Sequence, residues 1–224
     1  MGQTLAVGEA GILLLSFVIG SVPTSNLLAR AWRGVDLRDF GGGTVGGSAL
    51  YRVAGWWALV VAGLIDIAKG ASGPLLARSD MLSGTNRPVL AAFAGGAAVL
   101  GHNWSPFLRG AGGRGIAPAI GALLVNAWPG VVLLLGIVTI GRWFRQTAVF
   151  ALLAELALAP VLALISGEAA LAGAAIAVPM VTKRVLGNAR PRADRGRVYL
   201  HRLLFDRDPL EDGPLEADPA PEAP

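Results

Sequence analysis

The sequence predicts an all-α integral membrane protein with about seven transmembrane helices and glycine-rich loops on the cytoplasmic side. Of the 224 residues, 54% are apolar and 15% are charged, whereas about 25% are charged in an ordinary soluble domain. Mean hydropathy is +0.58. Long apolar runs alternate with short basic loops. Helix is expected in these runs because lipid offers no hydrogen-bond partner to a free backbone amide.

Seven apolar runs underlie this prediction. They cover about Gly8 to Arg30, Val53 to Ala77, Val89 to Phe107, two runs within 115–144 that Asn126 and Pro129 separate, Thr147 to Ile165, and Ala169 to Val181. Each approaches the ~20 residues that cross the hydrocarbon. The shorter runs leave six or eight spans as alternatives.

The basic residues predict the orientation. With seven spans, most of the 19 lysines and arginines fall on one side of the membrane, and only Arg78 and Arg87 fall in a loop on the other side. Positive loops face the cytoplasm. We therefore expect the N-terminus outside and the C-terminus inside.

Two segments are predicted along the chain. Residues 1–186 are expected to form the transmembrane domain, and residues 187–224 a cytoplasmic C-terminal segment. The end of this segment, "DRDPLEDGPLEADPAPEAP", is rich in proline and acidic residues and is predicted to be disordered.

A glycine-rich stretch follows the first apolar run. It reads "GSVPTSNLLARAWRGVDLRDFGGGTVGGSALYR" and carries Ser21, Arg38, Thr44, Ser48 and Arg52. Glycines allow backbone N–H groups to approach an anion closely, and arginine presents forked donors suited to phosphate oxygens. This composition favours a phosphate-binding loop.

Two further polar clusters are predicted on the same side. In "LIDIAKGASGP", Asp66 and Lys69 are three residues apart and share a helix face inside a span, where charges must pair or face a polar cavity. In "GHNWSPFLRGAGGRG", His102 and Arg114 lie beside several glycines. The chain has no cysteine, which excludes disulfides and thiolate metal sites. It also lacks a Walker-type lysine loop and a nucleophile elbow.

Each cluster alone also has a purely structural explanation. Glycine permits close packing of membrane helices, Asp66 and Lys69 can form a structural ion pair, and basic loops can reflect topology. The coincidence of three clusters on one face instead favours a pocket for a ligand with a phosphate and an oily part, which is typical of lipid chemistry.

At these clusters the sequence resembles the bacterial acyl-phosphate-dependent glycerol-3-phosphate acyltransferase family, the PlsY type. The matching motifs are "GSVPTS", "DLRDFGGGTVGGSALYR", "DIAKG" and "GHNWSPFLRGAGGRG", which keep the family's order and spacing over about residues 15–121. The chain departs from the pattern at Gly42, at Thr44, at 47–49, and at Arg114, which stands in place of a lysine. Asn188 is kept, but no histidine stands three residues before it.

The resemblance implies transfer of an acyl group from acyl phosphate to the 1-hydroxyl of glycerol 3-phosphate, giving lysophosphatidic acid for phospholipid biosynthesis in the bacterial plasma membrane. It implies membrane lipids as partners, no metal or organic cofactor and no nucleic acid, and it leaves the oligomeric state open. It makes residues 1–186 an acyltransferase-like domain.

The resemblance also implies a set of site residues. Basic side chains and the glycine backbone are expected to hold phosphates, and Ser21, Arg52 and His102 to orient the glycerol or polarise the acyl carbonyl. The catalytic candidates are Ser21, Arg38, His102 and Arg114. The substrate-binding candidates are Gly41, Gly43, Thr44, Gly46, Ser48, Arg52, Lys69, Gly112, Gly113 and Asn188.

Two alternatives remain at this stage. The departures at Gly42, Thr44 and Ala49 favour a non-catalytic or retuned lipid- or phosphate-binding paralogue of the family. Seven spans with a glycine loop also allow a transporter or channel, although no internal inverted repeat is visible in the sequence.

Overall fold

The computed structural model describes residues 2–40, 43–79, 87–188 and 195–207, and the regular secondary structure in these ranges is helical. The α-helices are α1 Gly2–Ser21, α2 Thr24–Arg33, α3 Gly47–Arg78, α4 Pro88–Asn103, α5 Ile116–Asn126, α6 Pro129–Trp143, α7 Thr147–Ala163, α8 Gly167–Leu186 and α9 Arg195–Phe205. Short 3₁₀ turns cover Leu37–Asp39 and Pro106–Leu108. The predicted all-α fold class is confirmed.

Within the part of the chain that the structure describes, three stretches are long and apolar enough to cross a membrane: Gly8–Arg33, Gly47–Arg78 and Gly167–Leu186. Shorter apolar helices cover Ile116–Asn126, Pro129–Trp143 and Thr147–Ala163. The count of seven spans and the orientation of the termini stay predictions.

The first apolar run is broken where the sequence suggested one continuous span. Helix α1 ends at Ser21 and α2 begins at Thr24, with Pro23 at the N-cap of α2. Proline has no backbone N–H and disfavours helix in the residue before it, so the helical hydrogen-bond pattern of α1 ends there. The break leaves the carbonyl groups of Ser21 and Val22 available to side chains from other helices, and both are used, by Ser105 and Lys69.

Helix α3 begins six residues before the predicted start of its span, and it is kinked. Gly55 has φ +80 and ψ −171 inside it, a conformation that glycine adopts without the steric penalty of a side chain. The first turns of α3 therefore run in a different direction from its long membrane segment, and they carry Ser48 and Arg52 beside the glycine loop.

Close contacts between helix backbones fix the positions of the polar segments. A Cβ atom on Gly101 of α4 would lie 2.2 Å from the carbonyl oxygen of Phe17 in α1. A Cβ on Gly121 of α5 would lie 1.9 Å from the carbonyl oxygen of Ile67 in α3. Small residues allow membrane helices to approach in this way. A Cβ on Gly73 of α3 would likewise lie 3.2 Å from the carbonyl oxygen of Ala94 in α4, the helix that carries His102.

Helix α8 extends beyond the predicted seventh span at both ends. Its last turn contains charged residues, which the hydropathy pattern excluded from the predicted span. Arg184 donates to Glu155 of α7 through Nη2 at 3.0 Å and through Nε at 3.3 Å, and its Nη1 donates to the Ala148 carbonyl at 3.1 Å. Both charged side chains are buried. Because the two opposite charges form an ion pair, the free-energy cost of burying them at this position is reduced.

The C-terminal helix α9 packs against α7 and α8. Arg202 is buried in α9, and its Nη1 donates to the carbonyl of Leu186 at 2.6 Å. The division of the chain at 186/187 stays a prediction, and residues 208–224, where the disordered tail is predicted, lie outside the described residues.

Candidate functional site

The two glycine-rich loops pack directly against each other. The N–H of Val45 donates to the carbonyl of Gly112 at 3.2 Å, and the N–H of Gly113 donates to the carbonyl of His102 at 3.2 Å. A Cβ on Gly113 would lie 2.3 Å from Nε2 of His102. The predicted binding residues Gly43, Gly46, Gly112 and Gly113 are therefore neighbours. Close approach requires glycine at 112 and 113, whereas a Cβ on Gly46 would lie 3.6 Å from the Cα of Gly113, an ordinary contact. Gly41 lies outside the described residues.

Asn188 joins these loops to the end of α8. Its Nδ2 donates to the carbonyl of Gly43 at 3.1 Å and to that of Gly112 at 3.0 Å, and its Oδ1 accepts the N–H of Gly112 at 3.1 Å. An asparagine side chain has the donors and acceptor needed for this pattern. The predicted site residue Asn188 thus acts on the backbone of both loops.

Lys69 lies at the centre of a buried polar cluster. Its Nζ is 2.7 Å from Oδ1 of Asp66 and 3.5 Å from Nδ1 of His102, and it donates to the Val22 carbonyl at 2.6 Å. The hydroxyl of Thr24 lies 3.5 Å away. The cluster therefore brings together the break between α1 and α2, the charged pair of α3 and the predicted catalytic residue His102.

A cavity of about 310 Å³ opens beside this cluster. Its polar lining residues come mainly from the two glycine-rich clusters of the sequence, which lead into α3 and α5. Its apolar lining residues come from α3 and α5. The polar and charged lining residues are Thr44, Ser48, Asp66, His102, Arg114 and Asp206. Apolar walls with a few convergent polar groups are typical of a small-molecule site.

Arg114 is held at this cavity by two contacts. Its Nη1 donates to the carbonyl of Lys183 at 2.9 Å, and its Nε lies 2.7 Å from Oδ1 of Asp206. Burial lowers the pKa of Arg114, and the Asp206 carboxylate opposes this effect. Burial likewise raises the pKa of Asp206, against the positive charges of Arg114 and Arg184. Arginine stays protonated in proteins, so the Asp206 carboxyl group is the partner that this guanidinium faces.

Arg38 lies at a different cavity. This space has a volume of about 410 Å³ and is lined by Val22, Pro23, Asn26, Leu27, Arg30, Arg38, Phe107 and Leu108. Arg38 donates through Nη2 to Asp36 at 2.7 Å, and Arg30 contacts the same carboxylate. The bond from Arg38, followed by that from Arg30, holds the pKa of Asp36 well below its usual range.

The two cavities are neighbours. A small space between them is lined by Val22, Pro23, Thr24, His102 and Ser105, among others. Val22 and Pro23 also line the Arg38 cavity, and His102 also lines the Arg114 cavity. Arg38, Lys69 and Arg114 therefore lie in one region of the molecule. Arg38 and Arg114, however, line two different cavities.

Two predicted site residues are engaged away from both cavities. The Oγ of Ser21 donates to the carbonyl of Phe17 at 2.7 Å within α1, and the side chain is buried. The guanidinium of Arg52 lies over the ring of Phe40, 5.4 Å from its centroid. Ser21 nevertheless contributes its backbone, because its carbonyl accepts the hydroxyl of Ser105 at 2.6 Å.

Sequence reasoning missed two residues of this region. Lys183 is fully buried, donates to the Gly110 carbonyl at 3.3 Å and lies over the Trp104 ring. Asp206 lines the Arg114 cavity from the end of α9. A lysine next to an apolar run, as Lys183 is, could have indicated a buried functional charge. No sequence pattern indicated Asp206, because its position depends on how α9 packs against the other helices.

Comparison with known proteins places the chain among membrane acyltransferases. The family model described as "Glycerol-3-phosphate acyltransferase" matches residues 10–190. A glycerol-3-phosphate acyltransferase of Chlorobaculum tepidum is 37% identical over 158 residues, which cover 64% of this chain and 66% of the relative. That of Chlorobium phaeovibrioides is 33% identical over 165 residues, which cover 68% of each chain. The alignments thus span about two thirds of these relatives' own length.

Two solved structures share the fold. The crystal structure of PlsY (YgiH), an integral membrane glycerol 3-phosphate acyltransferase, in its glycerol 3-phosphate form superposes with a TM-score of 0.70 at 24% identity, covering 89% of this chain and 94% of that one. Its lysophosphatidic acid form gives a TM-score of 0.68 at 22% identity, covering 89% and 93%.

Proposed function

The chain belongs to the glycerol-3-phosphate acyltransferase family, and we propose that it transfers an acyl group from acyl phosphate to the 1-hydroxyl of glycerol 3-phosphate. The product is lysophosphatidic acid. The observation that carries this proposal is the cavity in which Thr44, Ser48, His102 and Arg114 meet beside the two packed glycine loops.

The site suits a reaction between two phosphate-bearing substrates. Backbone N–H groups of a glycine loop and a guanidinium are well suited to phosphate oxygens. The Arg114 cavity and the Arg38 cavity each carry such an arginine and are separated by the narrow space at His102. We assign one phosphate to each cavity, with the reacting groups meeting near His102.

The reaction needs an oxygen nucleophile, a leaving group and stabilisation of a transient oxyanion. The 1-hydroxyl oxygen attacks the acyl carbon, the bond from that carbon to the phosphate oxygen breaks, and inorganic phosphate leaves with the hydroxyl proton. During attack the carbonyl oxygen gains negative charge, and cationic groups aimed at it lower the barrier. Lys69 supplies positive charge next to His102, 3.5 Å from its Nδ1.

The positions of Lys69 and His102 depend on the fold around them. Asp66 lies 2.7 Å from Lys69 and 3.9 Å from Nδ1 of His102, so one carboxylate faces both groups. We propose that Asp66 orients Lys69 and His102, and that Gly113 keeps the opposite side of the imidazole free of a side chain. Asn188 then keeps the two loops in register.

The proposal is tested with purified protein, labelled glycerol 3-phosphate and a set of acyl donors. Lysophosphatidate should form with acyl phosphate and should not form with acyl coenzyme A. A relative of the family assayed in parallel shows that the reagents are active. Absence of product from this protein alone would reject the acyltransferase proposal.

One observation favours a second candidate, a phosphate- or lipid-binding member without turnover. Arg114 is paired with Asp206 and bonded to the Lys183 carbonyl rather than presented to the cavity alone. A binding protein would take up glycerol 3-phosphate or lysophosphatidate saturably and release no phosphate from acyl phosphate. The same assay, with phosphate release measured, separates the two functions.

A further inference from the structure

Asp206 is a charged residue of the cavity that the proposed reaction does not use. It lines the space together with Thr44, His102 and Arg114, although it lies directly after the last residue of α9. Its Oδ1 lies 2.7 Å from Nε of Arg114, and the side chains of Asp206 and Arg114 are 27% and 16% exposed. This carboxylate stands where the oxygen of an anionic ligand would meet Arg114.

The turn that ends α9 sets the position of Asp206. The residue has φ +55, and its N–H donates to the carbonyl of Arg202 at 2.8 Å. Aspartate is one of the few residues with a side chain that tolerate this left-handed conformation. Arg202 in turn donates to Leu186 of α8 at 2.6 Å. The carboxylate is therefore tied to the bundle through a single short helix.

The charges at the cavity balance in pairs. Lys69 faces Asp66 and Arg114 faces Asp206. A phosphate group that approaches Arg114 brings further negative charge beside the Asp206 carboxylate, and like charges so close repel each other. The Asp66–Lys69 pair is buried within one helix, whereas Asp206 is more exposed and lies at the end of α9. The ion pair between Arg114 and Asp206 is therefore the one that can separate.

We propose that Asp206 sets the affinity of this cavity for phosphate: its carboxylate occupies the anion position at Arg114, and a substrate phosphate binds by displacing it. The identity of the phosphate ligand rests on the proposed function. The exchange itself requires only a ligand with a phosphate group. Binding then moves Asp206 away from Arg114 and loosens the end of α9 from the cavity.

The expected effect follows from a two-state exchange. The apparent Kd is raised by the fraction of molecules in which Arg114 is free, and a minor state is commonly populated at 10% or less, so removing the competing charge should tighten binding about tenfold. Asp206→Asn keeps the shape of the side chain and removes its charge. Glu168→Gln, an exposed acidic residue of α8 outside the cavity lining, is the matched control.

The experiment measures binding with the full chain in detergent micelles. Isothermal titration with glycerol 3-phosphate, and separately with inorganic phosphate, should show tighter binding to Asp206→Asn than to the wild type and no change for Glu168→Gln. In Arg114→Gln protein, the additional Asp206→Asn change should have no effect, because the group for which the anions compete is gone.

A second variant keeps the test independent of how well Asp206→Asn folds. Asp206→Gly removes the same carboxylate, and glycine suits the φ of +55 at this position, so this variant should also tighten phosphate binding. Thermal unfolding followed by tryptophan fluorescence reports whether each variant is folded. Equal or weaker phosphate binding by folded Asp206→Asn and Asp206→Gly, or no phosphate binding by any protein, would overturn the inference.

Activity separates this inference from the proposed function. If the protein forms no lysophosphatidate, the proposed function fails while the binding measurement still decides the role of Asp206. If it does form product, Asp206→Asn should lower KM for one phosphate substrate more than it changes kcat, which is the signature of altered ground-state binding.

Discussion

The side-chain amide of Asn188 makes two hydrogen bonds with the backbone of Gly112, accepting its N–H at 3.1 Å and donating to its carbonyl at 3.0 Å. The same Nδ2 also donates to the carbonyl of Gly43 at 3.1 Å. A residue just after α8 thus holds together two loops that precede α3 and α5, and these loops form one wall of the Arg114 cavity.

Asn188→Ala should lower kcat/KM at least about tenfold, since a small displacement of a binding loop reduces catalysis strongly. It should cost about 1–3 kcal/mol of stability through the unpaired backbone groups. Steady-state kinetics and thermal unfolding measure the two effects. Asn126→Ala is the matched control, because Asn126 bonds the Ala91 carbonyl in another part of the bundle at 3.1 Å. Equal kinetics in the two variants would contradict the role of Asn188.

Gly113→Ala should impair activity because the added Cβ would lie 2.3 Å from Nε2 of His102 and 3.1 Å from the Val45 carbonyl. The imidazole must then leave its present position beside Lys69. Gly136→Ala is the control, as its Cβ meets nothing within 4 Å, and alanine in a helix is favoured over glycine by roughly 0.5–1 kcal/mol. Full activity of folded Gly113→Ala would show that the position of His102 does not matter.

Lys69→Met should destabilise the protein by about 3–5 kcal/mol, because it leaves the Asp66 carboxylate buried without its partner. The double variant Asp66→Asn/Lys69→Met should recover much of that stability, since no buried charge is left unpaired. It should remain inactive if Lys69 supplies positive charge to the reaction. Unfolding midpoints and turnover measured on the three proteins separate stability from catalysis, and an active double variant would refute the catalytic role.

Asp36→Asn should cost more stability at neutral pH than at low pH. The pKa of Asp36 is held below its usual range by Arg38 and then by Arg30. A carboxylate with a depressed folded-state pKa contributes its full stability above its unfolded pKa of about 3.9, and loses that contribution as the pH falls through the lower folded-state pKa. The difference in unfolding temperature between wild type and variant should therefore shrink from pH 6 to pH 3. A constant difference would assign the effect to packing.

The predicted orientation can be measured by labelling single introduced cysteines, because the chain has no cysteine of its own that would react. Gln146 and Ser166 are exposed and flank α7. In intact cells, a membrane-impermeant maleimide should label Ser166→Cys, whereas Gln146→Cys should react only after the membrane is opened. The reverse pattern would place the glycine loops outside, and labelling of both in intact cells would mean that α7 does not cross.

Much of the candidate site could be predicted because its residues lie in short motifs. The spacing from Asp66 to Lys69 is local and places both on one helix face, and the glycines beside His102 and before α3 indicated close backbone contacts. Helix ends were harder to predict. The hydropathy pattern missed the break at Pro23 and stopped α8 before Lys183 and Arg184, because hydropathy does not register a buried ion pair or a carbonyl that a distant lysine will satisfy.

The amino-acid sequence by itself determined the membrane character, the all-α fold and the family, because composition and motif spacing are properties of the chain read in order. The tertiary structure decided which charges meet. Asn188 bonds Gly43 across 145 positions, Arg38 and Arg114 face separate cavities, and Asp206 reaches Arg114 through the docking of α9. Such pairings depend on how helices pack in three dimensions, and the spacing of residues along the chain does not contain that information.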